Sequence, residues 1–295
     1  MYFLIQFING LQIGAIYALI ALGYTMVYGV VKLINFAHGD IMMVSAYFLL
    51  ICMVHFGLPI WLSLLITIVL AALLGVVIEK IAYKPLRNAS RLSALITAIG
   101  VSLLLQNVMM LIFSSTPRRF PDLTSHLPSF KIGDNQVSIL AIFTILSAIV
   151  LMILLQLFVS RSKTGKAMRA VSEDMEASQL MGIDVNTIIS VTFALGSALA
   201  AFAALLYLVA YPQVDPYLGA MPGIKAFIAA VLGGIGIIPG AMLGGFLLGI
   251  IEALTRAYIP SAFAQLADAV VFVVLILVLL FKPAGLIGKE TKVKV

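Results

Sequence analysis

The seven residues Ile34-Asn35-Phe36-Ala37-His38-Gly39-Asp40 set an amide, an imidazole and a carboxylate within about one turn, with Gly39 allowing a tight bend between the last two. Histidine titrates closest to neutrality of the side chains, so His38 and Asp40 have the makings of a proton relay, and ionisable groups at depth in an apolar chain are often functional. The same residues have a simpler use, which is the expectation adopted: Asn35 and Asp40 cap helix ends at a membrane interface. A second polar concentration runs from Ser160 to Asn186 and carries Gly165, Lys166, Arg169, Glu173, Glu176, Ala177 and Gly182. Elsewhere the chemistry thins out. His55 and His126 have no histidine or carboxylate at metal-ligand spacing, and no Ser-His-Asp or Cys-His grouping can be read, so neither a catalytic residue nor a metal is expected. Cys52 is the one cysteine and excludes a disulfide framework. Gly165-Lys166 is followed by Ala167 and Gly288-Lys289 by Glu290, so the phosphate-cradling Gly-x-x-x-x-Gly-Lys-Ser/Thr loop is missing and the chain is no nucleotide motor.

The elements that must position these groups follow from composition. Of 295 residues, 63% are hydrophobic and 10% charged, with a mean hydropathy of +1.17, too few charges to cover a water-facing surface. Lipid is the solvent this chain is made for. Stretches such as Ile139 to Val159 do not alternate as barrel strands do, which leaves helices. The expected fold is an all-α polytopic membrane protein, a single domain over 1–295 with a bundle of 8–9 transmembrane helices. Spans are expected near 5–30, 41–56, 60–80, 93–114, 138–159, 188–210, 223–237, 240–257 and 265–281. The first lacks a positive n-region, since the first lysine is Lys32, and reads as a retained helix.

Basic residues flanking spans are retained on the cytoplasmic side. Lys32, the 80–91 insert, the 160–187 insert and the 282–294 tail together hold 13 of the 18 lysines and arginines, leaving Arg118, Arg119, Lys131, Lys225 and Arg256 opposite. All of the former face one side only if the N-terminus is periplasmic, the C-terminus cytoplasmic and the span number odd. The net charge of +6 is split among span ends, which excludes the clustered footprint of a nucleic-acid binder and points to membrane lipid. The stretch 223–237 is the weak link, because its 15 residues reach about 22 Å against a core of roughly 30 Å. It is a half-helix or a re-entrant segment, and if it does not cross, the tail falls on the wrong side.

Lys166 to Met181 consists of good helix formers with Gly182 at the stop position, so one helix of about four turns is expected outside the bilayer. Ala167, Ala170, Val171, Ala177, Leu180 and Met181 give it an apolar stripe suited to a partner's groove. Gly236, Gly240 and Gly244, and again Gly245 and Gly249, recur every fourth residue, so two faces of the eighth span admit close backbone packing within the chain or against a second subunit. Among the ionisable residues in apolar spans, Glu252 and Arg256 stand four apart and pair. Snorkelling to the interface accounts for most of the others, including Glu79, Lys225 and Asp268.

Glu176-Ala177-Ser178-Gln179-Leu180-Met181-Gly182 resembles the Glu-Ala-Ala, three residues, Gly signature of the cytoplasmic coupling loop of ABC-importer permeases, with Ser178 in place of the second alanine. Thr164 to Val171 resembles the branched-chain amino acid permeases in particular. Ile34 to Asp40, followed by Met42 to Tyr47, is similar to the segment after their first helix, and Lys282 to Gly288 to their close. The likeness is to LivH-type permease subunits of the high-affinity branched-chain amino acid ABC importers. It implies a pore subunit in the bacterial inner membrane with a short cytoplasmic coupling helix. The implied partners are a second homologous permease in a heterodimer, two cytoplasmic ATPases that use ATP and Mg, and a periplasmic binding protein delivering Leu, Ile or Val. No cofactor is expected on this chain. The loop 114–136, together with Tyr211 to Pro222, is where a delivery protein would land, or else is a proline-rich linker. Urea and short-amide importers have similar permeases, and an ion-coupled secondary transporter is the alternative from another class.

Overall fold

A computed structural model describes residues 2–87, 89–123, 129–132, 135–260 and 266–288. Its helices are α1 (Tyr2–Val31), α2 (His38–Leu50), α3 (Ile60–Ile78), α4 (Arg91–Phe113), α5 (Ile139–Arg161), α6 (Lys163–Glu173), α7 (Met175–Leu180), α8 (Val185–Ala210), α9 (Ala220–Gly233), α10 (Ile238–Tyr258) and α11 (Ala267–Phe281). Short strands β1 (Arg118–Arg119) and β4 (Gln213–Val214) pair antiparallel, as do β2 (Ser129–Ile132) and β3 (Asn135–Ser138). Among the described residues, seven helical stretches are long and apolar enough to cross a membrane, with α9 and α11 as shorter apolar helices, so each expected span has a helix.

Helix ends are placed by local chemistry. The hydroxyls of Ser90 and Ser162 accept from the third backbone N–H beyond them, at 3.1 and 2.8 Å, and cap α4 and α6. Pro239 stands in the first turn of α10, where its missing N–H costs nothing. α2 and α3 each widen into one π-helical turn, at Ile51–His55 and Glu79–Tyr83.

α1 is the axis of the bundle, and its interior length from Gly14 to Val27 is buried without a break. α10 runs antiparallel to it along a seam of glycines: a methyl added to Gly14 would fall 2.8 Å from the Cα of Phe246, and one on Gly249 would collide with the backbone of Gly14. Without a hydrophobic drive between helices in lipid, such close approach is how they associate. α8 closes the other side through Gly23 and Gly196, and α3 rests on α8 through Gly75, beside Phe193 and Ser197.

α2 starts inside this bundle, not at its edge. His38 packs against Gly23, eight residues and so about 12 Å from the end of α1, and residues 32–37 return to that depth as coil. The first turn of α9 lies against the same point, Gly219 and Gly223 abutting Gly39. α9 has 14 residues and spans about 21 Å, shorter than the stretch expected from sequence. Beyond it Gly234, at φ +112°, turns the chain, Gly236 comes within reach of Gly29, and Leu286 and Ile287 donate to the carbonyls of Leu232 and Gly233. The 282–288 segment therefore ends beside the C-terminal end of α1. Arg87 reaches Asn186 there and Tyr83 reaches Asn35, so the basic inserts share one face of the bundle.

Candidate functional site

The turn at 34–40 keeps its polar residues interior, with Ile34 and Phe36 partly buried. Asn35, His38 and Asp40 are each 1–2% exposed. The capping expectation for it does not hold: the N-cap of α2 is Ala37, with no side-chain cap. Asn35 Oδ1 instead accepts the phenol of Tyr83 at 2.9 Å, its backbone carbonyl receives the N–H of His38 at 3.0 Å, and Asp40 Oδ1 accepts from Gln106 Nε2 on α4 at 2.9 Å. The reason is depth, since a turn inside the bundle must find its polar partners on neighbouring helices and not in interfacial water. His38 lies edge-on to Tyr24, ring centroids 4.9 Å apart, and Tyr24 in turn meets Phe227 of α9. The turn is therefore a joint where α1, α2, α4 and α9 converge.

A second interior cluster escaped the sequence reading. Lys225 Nζ lies 2.7 Å from Glu252 Oε1 and 2.8 Å from Asp268 Oδ1, and Arg256 Nη2 lies 2.7 Å from Glu252. The phenol of Tyr17 donates to the other oxygen of Glu252 at 2.9 Å. The expected Glu252–Arg256 pair is thus present, but Lys225 and Glu252, 3% and 1% exposed, do not snorkel. Glu79 is buried as well, held by Arg87 and by the hydroxyl of Ser190 at 2.7 Å. The usable signal was charge balance: two acids and two bases in neighbouring apolar helices can stay ionised only by finding each other.

The third region is exposed. The expected single helix over 166–181 is two, because Asp174 adopts an extended backbone (φ −152°, ψ +114°) and ends α6 while its carboxylate caps α7 by accepting from the N–H of Ala177 at 2.9 Å. A short polar side chain that binds its own backbone competes with helix continuation. The apolar stripe also differs from expectation. Gly165, Met168, Val171 and Ser178 face the bundle, whereas Ala177, Leu180 and Met181 face away, the last two 89% and 83% exposed. Gly165 sits so close to the backbone of Phe158 and Val159 that a side chain has no room. Lys166, Glu173 and Glu176 are exposed, and Arg169 donates to the carbonyl of Ser160 at 3.1 Å. Gly182, at φ +83°, ends α7 as its position predicts. Asp184 then caps α8 through Asn186, Thr187 and the Thr187 hydroxyl, and these bonds, Thr187 first, hold its carboxyl below the usual aspartate range.

The glycines serve packing within the chain. Gly240 meets Gly233, Gly244 meets Ala229, Gly245 meets Ala18 and Gly249 meets Gly14, while Gly236 lies in the turn before α10 at φ +92°. On the opposite face, β1 and β4 tie the start of the 114–136 loop to 211–219, and Phe120 is buried beneath them. Residues 124–128 and 133–134 of that loop lie outside the described residues, as do the tail lysines Lys289, Lys292 and Lys294.

Comparison with known proteins gives a consistent result. The family described as branched-chain amino acid transport system / permease component matches residues 6–279. The chain is 43% identical over 308 residues to the high-affinity branched-chain amino acid transport system permease protein BraD of Pseudomonas aeruginosa, covering 100% of this chain and 98% of that one. The figures are 43% over 310 residues for LivH of Escherichia coli K12, with the same coverage, and 42% over 308 residues for LivH of Salmonella typhimurium. Among solved structures, PsaBC from Streptococcus pneumoniae in complex with Fab aligns over 90% of this chain at 15% identity and a TM-score of 0.46.

Proposed function

The chain belongs to the branched-chain amino acid transport permease family, and from that premise we propose that it is the membrane-spanning subunit of an ATP-driven importer that passes leucine, isoleucine and valine inward. The observation that carries this reading is likeness over the full length to permeases named for that transport, at 43% identity. ATP hydrolysis belongs to separate cytoplasmic ATPases, with Mg at their sites. A second permease completes the pore in a heterodimer, and a periplasmic binding protein delivers the substrate to the face carrying β1 and β4. The basic inserts and the 160–187 loop are then cytoplasmic and the N-terminus periplasmic, as the positive-inside bias supports.

The geometry supports a mechanical role for the loop. Leu180 and Met181 are a bare apolar tip of the kind that a partner's groove takes up. Behind the tip, α6 is clamped to α5 at Gly165 and reaches α1 near Thr25 and Gly29 across a cavity of about 80 Å³ that also touches Gly236. A push on α7 therefore arrives at the C-terminal end of α1, which passes the His38 joint at Gly23 and, midway along its length, the Tyr17–Glu252 cluster. Packed elements of this sort move between discrete arrangements, and do not flex continuously.

Two measurements test this. Leu180→Asp combined with Met181→Asp should abolish co-purification with the ATPases while membrane insertion is retained; undiminished association refutes the docking role. Uptake of labelled leucine and labelled urea in a strain deleted for this chain then decides the solute, with restored urea uptake and no leucine uptake counting against the amino-acid assignment. Ion-driven uptake by the isolated chain would revive the secondary transporter, which the compensated carboxylates Glu79 and Glu252 do not favour.

A further inference from the structure

Between the inner end of α3 and the start of α8 is a cavity of about 400 Å³, bordered by Asn186 and Thr187 at the close of the 160–187 loop and away from the exposed tip at Leu180 and Met181. Lys80, Lys84, Glu79, Asn186, Thr187 and Ser190 supply its polar wall. The acceptors in that wall are already engaged. Glu79 takes Arg87 and Ser190, Asn186 Oδ1 takes Arg87 Nη1 at 2.7 Å, and Thr187 gives its hydroxyl to Asp184 at 2.6 Å. Arg87 neutralises Glu79, and Asp184 is committed to capping α8. What is left facing the cavity is cationic and donating: the two exposed ammonium groups of Lys80 and Lys84, neither in an ion pair among the described residues, with the Asp184 carboxylate attracting Lys84 only from beyond ion-pair distance.

The remaining wall is apolar, made by Val76, Val191 and Ala194. The helix that bears the lysines presents Leu73, Val77 and Ile81 outward beside it, 57%, 49% and 73% exposed. In a membrane protein such a face meets acyl chains. A ligand that fits both halves has an anionic head and hydrocarbon tails, and the two lysines stand at a helix end, where the headgroup layer lies. In the π-helical turn at Glu79–Tyr83, Glu79 faces inward to Arg87 while Lys80 stays outside.

We propose that this cavity is a binding site for an anionic phospholipid, its phosphodiester held by Lys80 and Lys84 and its acyl chains lying along Val77 and Ile81. The test uses the full-length chain, purified and delipidated in a neutral detergent, and titrated with phosphatidylglycerol, phosphatidylcholine or inorganic phosphate. Binding is read by native mass spectrometry and thermal shift. Phosphatidylglycerol should bind and raise the melting temperature, while phosphatidylcholine and inorganic phosphate at equal concentration should not. Lys80→Gln with Lys84→Gln should weaken phosphatidylglycerol roughly 30-fold, the equivalent of about 1 kcal/mol per lysine at a headgroup surface, and Lys80→Arg with Lys84→Arg should retain it. Size exclusion shows whether the double glutamine variant is folded; if it is not, Lys84→Gln alone is titrated and should weaken binding about fivefold. An equal response to phosphatidylcholine, an equal response to inorganic phosphate, or unchanged binding in the glutamine variants each overturns the proposal. So does loss of phosphatidylglycerol when the complete importer is assembled, since that would make the cavity a protein interface.

Discussion

α1 and α10 on one hand, and α3, α4 and α5 on the other, are both runs of apolar residues, yet they do opposite work. The first pair is mostly buried and meets through Gly10, Gly14, Gly245 and Gly249, backbone on backbone. The second set is more apolar and mostly exposed, with Leu65, Leu104, Leu111 and Phe143 pointing out. A soluble protein has the reverse gradient. Here lipid tails accept bulky aliphatic side chains at no cost, so bulk gains little by going inside, and although Leu19, Leu22 and Met42 are buried, it is the glycines and the paired charges that set the inner helices apart. A glycine or a charge in an apolar helix thus says more about burial than a leucine does.

The contrast can be broken at its most expensive point. Glu252→Ala leaves Lys225 buried with only the half-exposed Asp268 for a partner, and should cost about 3–5 kcal/mol, seen as loss of monodisperse protein on size exclusion. Lys225→Met with Glu252→Leu should recover most of that loss, because a well-packed apolar pair removes the desolvation penalty altogether; a double variant as unstable as the single one refutes the account.

Two glycines sharpen the same contrast. Gly249→Leu drives a side chain into the backbone of Gly14 and should destabilise by about 1–3 kcal/mol, with a lowered melting temperature. Gly100→Leu on α4 meets nothing within 4 Å and should be neutral or slightly stabilising, since leucine is the better helix former. Equal melting temperatures for the two variants would show that the inner and outer helices are not distinguished as described.

At the exposed end of the scale, Leu180→Asp should change folding stability by less than about 0.5 kcal/mol, because the side chain already faces solvent. The smallest effect is at Asp184. Its folded-state pKa is depressed, so the stability it contributes is present above the ordinary aspartate pKa and is lost as pH falls through the lower folded value. Asp184→Asn should flatten that part of the melting-temperature profile, and an unchanged acid limb would show that the cap carries no proton linkage.

The far end of the 160–187 loop was legible from sequence, since Gly182 and the run of helix formers mark it by local rules, whereas the helix expected from Lys166 begins in the structure at Lys163, capped by Ser162. The break at Asp174 was not, because the same residue types also permit an unbroken helix and the choice depends on which face the bundle covers. The turn at 34–40 was visible as a motif but misread in role: capping is a local rule for a water-facing helix start, whereas this start is buried and its Asn35 and Asp40 are held by Tyr83 and Gln106 from 48 and 66 residues away.

Sequence by itself determined the solvent, the helical class, the places of nine apolar helices and the family, because bilayer thickness and backbone hydrogen bonding leave few alternatives. Only the tertiary structure decided which faces turn inward, that α2 and α9 both begin inside the bundle, and that Lys225 meets Glu252. Those outcomes depend on contacts between residues far apart in the chain, and hydropathy, which records only how each residue prefers lipid to water, contains no term for a neighbour.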